Sequence, residues 1–159
     1  MTQLPLYSVA RELPFPTPEV WSAWTDPAKL EMWYHPTDLT SLPGLTESEA
    51  RVGGPWAVTV DVPEHGFVAY FYGVYTDVQD MARLEHTMMY TQSAAEFEAK
   101  DLAAPAHNVV IDFDNRDGST FVRFSQFGEL PEGQAAQAKA GMESYFDSLG
   151  IFLGDEPTD

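Results

Sequence analysis

The chain has no cysteine, so disulfide bonds and thiolate chemistry are excluded, although this absence does not decide the compartment. Basic residues are scarce as well. Eight Lys and Arg stand against 25 Asp and Glu, which gives a formal net charge of -17. Phosphate backbones and anionic membrane surfaces are bound through Lys and Arg, so this charge argues against both as partners. The composition is typical of a solvated, self-repelling surface.

Long apolar runs are missing too, since no stretch approaches the ~20 residues that span a bilayer. The N-terminus lacks the basic start, apolar core and cleavage site of a secretory leader, so we expect a soluble cytoplasmic protein. His35, His65 and His107 are separated by loops and show no metal-ligand spacing. No phosphate-cradling glycine loop or nucleotide fingerprint occurs either, and we therefore expect neither a metal nor a cofactor.

A chain of 159 residues is long enough for one domain and short for two. With 44% hydrophobic and 13% aromatic residues, it can form a sizeable core and is not expected to be disordered. We predict a single domain over residues 1–159, with an ordered core over about 6–153 and a frayed tail at 154–159.

The longest predicted element is a helix from Pro131 to Leu153. Proline and an acidic residue suit a helix start, here Pro131 and Glu132, and Gly154 followed by Pro157 suits its end. A helix of this length is ~30 Å long, about the width of a small domain. Its apolar residues recur at steps of three and four and therefore share one face: Ala138, Met142, Tyr145, Phe146, Leu149 and Leu153.

The N-terminal part predicts an edge strand over Leu6–Leu13, followed by two short helices. Thr17, before a proline and a glutamate, is predicted to cap the first helix, and the second covers Pro27–Trp33. His35–Arg51 is polar and contains helix-breaking residues, which indicates a loop, with a short strand near Asp38–Leu42.

The middle of the chain alternates between apolar and polar residues and predicts antiparallel strands. A short helix capped by Ser93 interrupts them. A sheet with one apolar face must be covered, and only the last helix is long enough to do so. The order of elements therefore predicts an α+β fold. The predicted strands are Trp56–Val62, Phe67–Val78, Arg83–Gln92, Asn108–Phe113 and Ser119–Phe127.

Four stretches, in order along the chain, resemble the START-like (SRPBCC) helix-grip superfamily, and within it the Hsp90-ATPase-activator-homologue (AHSA1-like) family. The resemblance covers Tyr7 to Leu153. It implies a START/Bet v1-like helix-grip fold, in which an antiparallel sheet of about seven strands curves around the C-terminal helix and encloses an apolar cavity. The four stretches are Val20-Trp21-Ser22-Ala23-Trp24-Thr25-Asp26-Pro27 with Trp33, Arg51-Val52-Gly53-Gly54-Pro55-Trp56, Gly73-Val74-Tyr75-Thr76-Asp77-Val78 with Arg83-Leu84, and Gly141 to Leu153.

The resemblance implies no particular reaction, because this fold carries binders, cyclases and co-chaperone domains alike. Two departures alter the expected cavity. Gly141-Met142 stands where the family often has Gly-Trp, and the loop from Ser93 to Ala106 is enlarged. A ligand cannot therefore be transferred from relatives. A glycine in a helix interior costs ~1 kcal/mol relative to alanine, so Gly141 indicates either room for a ligand or close packing.

The candidate ligand-binding residues are mostly large apolar side chains on predicted inner faces. Aromatic and Met side chains make large, adaptable contacts, but the same residues could equally close the core. Among them His86 shares the apolar face of its strand with Leu84 and Tyr90, so it either contacts a ligand or is a satisfied core histidine. The candidates are Trp24, Trp33, Trp56, His86, Met88, Tyr90, Met142 and Phe146.

Three functions remain open from the sequence. The first is binding or carriage of a small hydrophobic molecule between the sheet and the last helix. The second is a cyclase or dehydratase with His86 as acid–base group, assisted by Tyr90 or Tyr70. The third is a chaperone-associated interaction module. Arg51 is expected to form a structural ion pair, with anchoring of a ligand as the alternative. Oligomerisation stays open.

Overall fold

The structure, a computed structural model, describes residues 4–103 and 105–155. The strands are β1 (Tyr7–Leu13), β2 (Glu47–Ser48), β3 (Pro55–Val62), β4 (Phe67–Gln79), β5 (Arg83–Thr91), β6 (His107–Asn115) and β7 (Thr120–Phe127). The helices are α1 (Thr17–Thr25), α2 (Pro27–Trp33), α3 (Ala94–Ala99) and α4 (Gln134–Asp155), and a short 3-10 turn covers Pro63–His65. Most of the predicted frayed tail, with the predicted stop at Pro157, lies outside the described residues.

The seven strands form one antiparallel sheet in the order β1-β7-β6-β5-β4-β3-β2. The predicted α+β fold with about seven strands is therefore confirmed. Strand β1 pairs with β7, which joins the start of the chain to its last strand and sets Tyr7 opposite Gln126. Strands β4 and β5 are the long central hairpin, and its register shifts at a bulge between Tyr75 and Asp77.

The core lies between the inner face of the sheet, helices α1 and α2, and the C-terminal half of α4. Trp24 and Trp33 come from the two short helices and pack edge to face, with ring centroids 4.6 Å apart. Phe146 and Leu149 enter from α4 and are fully buried. Large aromatic rings supply most of the contact area at this junction, so the two short helices are held by packing rather than by their own length.

Polar contacts attach α4 to its neighbours. Arg11 of β1 reaches Glu143 and Asp147 at 2.9 and 2.6 Å. The hydroxyl of Ser148 donates to the backbone carbonyl of His35 at 2.7 Å, just after α2. These contacts fix the position of α4 along the sheet.

Helix α3 covers part of the outer face of the sheet. Its Phe97 is buried against Tyr70 and Tyr72 of β4, with ring centroids 4.8 and 6.2 Å away. The predicted cap is confirmed, since Ser93 Oγ accepts a hydrogen bond from the backbone N–H of Glu96 at 3.3 Å. The outer face thus has a small apolar cluster of its own, separate from the main core.

Two predicted helix starts are wrong. Helix α4 begins at Gln134 and not at Pro131, because Gly133 has a φ of +88°, a left-handed conformation that cannot continue into a right-handed helix. Thr17 is not a cap, since Pro16 occupies that position and Thr17 is already helical. Its hydroxyl lies 2.9 Å from that of Thr120 instead and links α1 to β7.

The predicted strand near Asp38–Leu42 is also wrong. That segment forms a single bridge between Thr40 and Asp61. The extra edge strand lies later, at Glu47–Ser48, where it pairs with Trp56 and Ala57 of β3. Neither segment alternates clearly in sequence, so polarity alone could not distinguish them.

Candidate functional site

A cavity of about 620 Å³ lies between the N-terminal half of α4 and the inner face of the sheet. The aromatic core does not extend into this part of the interior. Strands β3, β4, β5 and β7 supply most of its apolar wall, with Met142 closing it from α4. The apolar lining side chains include Val60, Val62, Phe67, Phe71, Met88, Phe124 and Met142.

The polar groups around the cavity are hydroxyls, amides and one imidazole. Among the described residues that line it, none is Lys, Arg, Asp or Glu. An apolar wall with a few polar groups is the usual composition of a small-molecule site. The polar lining residues are Tyr7, Tyr34, Tyr90, Tyr145, His107, Gln126, Gln134 and Gln137.

Gly141 lies in α4 on the wall of the cavity. A Cβ built at this position meets no atom within 4 Å. The alternative of close packing against a strand is therefore wrong, and the glycine leaves open space beside the helix. A larger side chain here would project into that space.

Three of the polar lining residues form a hydrogen-bonded chain along the sheet, which we call the Tyr7–Gln126–His107 relay. The Tyr7 hydroxyl donates to Oε1 of Gln126 at 2.6 Å. Nε2 of Gln126 lies 2.6 Å from Nδ1 of His107. Nε2 of His107 lies 3.1 Å from the backbone carbonyl oxygen of Glu129. Tyr7 and Gln126 are both buried, so these bonds satisfy polar groups that water cannot reach freely.

Two further tyrosines stand at the same wall. Tyr34 and Tyr145 pack edge to face, with ring centroids 4.9 Å apart. Burial is the main cause that raises the pKa of Tyr7, Tyr34 and Tyr145 above the ordinary value. All three hydroxyls therefore stay protonated and neutral at physiological pH, and they can serve as hydrogen-bonding groups without introducing charge.

The predicted site residues fall into two groups. Met88, Tyr90 and Met142 line the cavity, and Tyr90 is about half exposed at its edge. The other five, which are Trp24, Trp33, Trp56, His86 and Phe146, are buried in the core and are not among the residues that line the cavity. They are large enough to fill the space between α1, α2, the sheet and the C-terminal half of α4. Phe146 also borders a second pocket, which lies between β1 and the C-terminal half of α4.

His86 is stacked on Trp56, with ring centroids 3.9 Å apart, and only 1% of its surface is exposed. Its Nδ1 lies 2.8 Å from the carbonyl oxygen of Thr87, which can only accept, so Nδ1 carries the proton. Desolvation by burial lowers the pKa of His86 to about 4, so the ring is neutral at physiological pH. His86 therefore has the environment of a satisfied core histidine.

The three catalytic candidates do not converge. Tyr70 packs on Phe97 at the outer face of the sheet, on the side opposite the cavity. Tyr90 shares the strand of His86 but stands four residues away, ~13 Å along an extended strand. The structure therefore gives no direct contact between His86 and either tyrosine, and the pairing of His86 with Tyr90 or Tyr70 stays a hypothesis.

Arg51 forms an exposed ion pair with Glu49, at 3.1 Å, as expected for a structural role. Within residues 4–103 and 105–155, no group of three or more His, Asp or Glu side chains could hold a metal ion. In the same part of the chain, no helix has both the length and the apolar character needed to cross a membrane.

Sequence reasoning missed the three relay residues, although the same alternation that identified the core strands could have found them. His107 is two residues before Val109, Gln126 is two after Phe124, and Tyr7 is two before Val9. Each of the three residues therefore lies on the same strand face as the neighbouring apolar residue, two positions along the strand. The predicted strand begins at Asn108 and leaves His107 out, whereas β6 begins at His107 itself.

A seven-stranded antiparallel sheet that wraps a long C-terminal helix, with two short helices after the first strand, defines a helix-grip domain. The chain belongs to the family described as Activator of Hsp90 ATPase homolog 1-like protein, which it matches over residues 14–154. No match was found among curated proteins.

Solved structures of bacterial proteins share the fold. The chain is similar to a protein of Chromobacterium violaceum, with a TM-score of 0.75 at 20% identity over 94% of this chain and 97% of that one. A Staphylococcus epidermidis protein gives a TM-score of 0.75 at 21% identity over 100% and 94% of the two chains. The AHSA1 protein of Silicibacter pomeroyi gives 0.75 at 19% identity over 93% and 96%. At these identities the likeness shows the fold alone.

Proposed function

We propose that the protein binds and carries a small, uncharged, mainly apolar molecule in the cavity between α4 and the sheet. The observation that carries this proposal is the cavity itself, whose volume of about 620 Å³ suits a drug-sized molecule. Its wall combines apolar side chains with neutral polar groups, so a guest would bury apolar surface and still find hydrogen-bond partners. The open space beside Gly141 supports the same proposal.

The enzyme alternative has weaker support. A general acid–base group must reach the reacting atoms, and His86 is held in the core beside Trp56, away from the lining of the cavity. The chaperone-associated interaction module stays a hypothesis without a specific observation in its favour. Carriage needs only the cavity, and we therefore prefer it.

The experiment is a fluorescence titration of the purified protein with pyrene, a rigid apolar probe. Wild type is expected to take up one pyrene per chain. The Gly141→Leu variant places a side chain in the cavity and should weaken binding about tenfold or more, because extra methylene groups in filled space cost ~1–3 kcal/mol.

The matched control is Gly150→Leu. Gly150 lies in the same helix, also has no atom within 4 Å of a built Cβ, and does not line the cavity. This variant receives the same substitution at a distance from the proposed site, so its affinity for pyrene should equal that of wild type. Absence of pyrene uptake by wild type, or equal uptake by Gly141→Leu, would contradict the proposal.

A further inference from the structure

We propose that the Tyr7–Gln126–His107 relay turns the Tyr7 oxygen into a hydrogen-bond acceptor that faces the cavity, and so selects apolar ligands that carry an O–H or N–H donor. The inference rests on the proposed function and names the chemical class of its ligand. The physical basis is the donor-to-acceptor direction of the three hydrogen bonds. The backbone carbonyl of Glu129, at one end of the relay, determines this direction.

The direction starts at Glu129. Its backbone carbonyl oxygen can only accept, so Nε2 of His107 must carry the proton that bridges the 3.1 Å between them. In a neutral imidazole the other nitrogen, Nδ1, is then an acceptor. The Gln126 amide must therefore present its NH₂ group to Nδ1, across 2.6 Å. The opposite assignment of the amide would require His107 to carry a proton on both nitrogens.

This orientation leaves Oε1 of Gln126 pointing to Tyr7, where it accepts the hydroxyl proton at 2.6 Å. The single proton of Tyr7 is thus already used inside the wall. What the hydroxyl oxygen still offers is its lone pairs, and Tyr7 lines the cavity. A guest with a hydroxyl or amine proton can use this acceptor, whereas an ether or a plain hydrocarbon cannot.

The surroundings hold the relay in place. Tyr7 is 8% exposed and Gln126 6%, and the two residues are direct partners across β1 and β7. The His107 ring lies so close to the backbone of Gly128 that a Cβ there would collide with its Cδ2 atom. Gly128 also has a φ of +149°, which side-chain-bearing residues rarely adopt. Glycine at position 128 therefore leaves the space that the His107 ring occupies at the end of the relay.

The nearby tyrosines do not provide the same discrimination. Tyr34 and Tyr145 also line the cavity, and burial keeps both hydroxyls protonated by raising their pKa. Such hydroxyls can rotate and either donate or accept, so they would serve an ether as well as an alcohol. Tyr90 accepts a hydrogen bond from the Gln92 amide at 2.7 Å, which leaves its own proton free to be donated. Within the described residues that line the cavity, Tyr7 is the tyrosine whose proton is given to a neighbouring side chain.

The test compares two probes of nearly the same shape, 1-hydroxypyrene and 1-methoxypyrene, by fluorescence titration. Wild type should bind the hydroxy probe about three- to tenfold more tightly, as expected for one net neutral hydrogen bond. Tyr7→Phe keeps the ring and removes the acceptor, so the two affinities should become equal. Tyr72→Phe is the matched control. Tyr72 is on the outer face, where its hydroxyl donates to the carbonyl of Asp101, so this variant should keep the wild-type preference.

A third variant tests the direction of the relay. Gln126→Met keeps the approximate length of the side chain but removes the acceptor for the Tyr7 proton, so the hydroxyl becomes free to donate into the cavity. Affinity for 1-methoxypyrene should then rise relative to 1-hydroxypyrene. Circular dichroism and thermal unfolding of every variant show that the protein being titrated is folded.

The outcomes separate this inference from the proposed function. If wild type binds both probes equally, the donor selection is overturned while binding in the cavity stands. If the preference survives Tyr7→Phe, or is unchanged in Gln126→Met, the assigned role of the relay is overturned. If neither these probes nor pyrene bind, the proposed function fails and the inference fails with it.

Discussion

His86 shows how its surroundings decide what a titratable side chain can do. Alternation along β5 predicts correctly that this residue shares a face with Leu84 and Met88. The His86 imidazole is stacked on Trp56 and desolvated. These surroundings make a general acid–base role unfavourable. The same residue type at position 107 lies at the end of the sheet that borders the cavity.

The depressed pKa of His86 predicts a pH-dependent stability. An unfolded chain binds a proton on this ring near pH 6.5, whereas the folded protein binds it only near 4. The unfolded state therefore holds more protons between these values, and stability falls as pH falls through this window. Between about pH 7.5 and pH 5 the loss attributable to His86 should be about 2 kcal/mol.

Urea unfolding of wild type and His86→Leu at both pH values measures this contribution. The variant lacks the titrating group, so the difference in unfolding free energy between the two proteins should shift by about 2 kcal/mol in favour of the variant at the lower pH. Comparing differences removes the contribution of the many carboxylates that both proteins share. Parallel pH profiles would contradict the assignment of a neutral, buried His86.

Individual residues mark the limit of what the sequence could predict about the site. Period-two alternation identified the inner face and thus Met88 and Tyr90, which do line the cavity. It could not tell which end of that face the aromatic core fills, because that depends on where α1 and α2 dock. The sequence therefore predicts Trp24 and Trp33 at the cavity wall. In the structure these two large side chains are buried in the core.

At the scale of the elements, α4 has two different halves. The C-terminal half buries Phe146 and Leu149 in the core, while the N-terminal half presents Gly141 and Met142 to the cavity. The helical periodicity predicted one continuous apolar face and was confirmed for the element as a whole. The start of α4 was missed because the left-handed Gly133 ends the preceding segment, and glycine in sequence does not reveal the sign of its φ.

Helix α3 belongs to the outer face, and this position predicts separate effects on stability and binding. Phe97→Ala removes a ring that is 3% exposed and packed on Tyr70 and Tyr72. We expect a loss of ~3–5 kcal/mol in unfolding free energy, with pyrene affinity unchanged in the folded protein. Urea unfolding and the pyrene titration are the two measurements.

Phe71→Ala provides the comparison for α3, since Phe71 is in the same strand as Tyr70 and Tyr72 but lines the cavity. This change removes a ring from the cavity wall that a guest would contact. The pyrene affinity of Phe71→Ala should therefore differ from that of wild type. A weaker pyrene affinity in Phe97→Ala, measured where the variant is fully folded, would show that the outer cluster and the cavity are coupled. The separation of the two faces would then be wrong.

For the whole molecule, the dominant property is its formal net charge of -17. This charge surrounds a cavity whose described lining residues include no Lys or Arg to pair with an anionic guest. A negative ligand would have to approach through a repulsive field and then lose its hydration without a compensating partner. Fold and composition together therefore favour neutral ligands, in agreement with the neutral polar groups at the wall.

The corresponding prediction compares pyrene with 1-pyrenesulfonate, which adds one negative charge to the same ring system. In ~0.01 M NaCl we expect the sulfonate to bind at least about tenfold more weakly than pyrene, because of both repulsion and desolvation. In ~1 M NaCl the screening length falls to ~3 Å, so the difference in affinity between pyrene and the sulfonate should become smaller. The cost of desolvating the sulfonate remains, so the difference should not vanish. Pyrene serves as the internal control, because its own affinity should change little with salt. Equal binding of both probes at low salt would mean that a cationic group meets the ligand, which is incompatible with the neutral cavity described above.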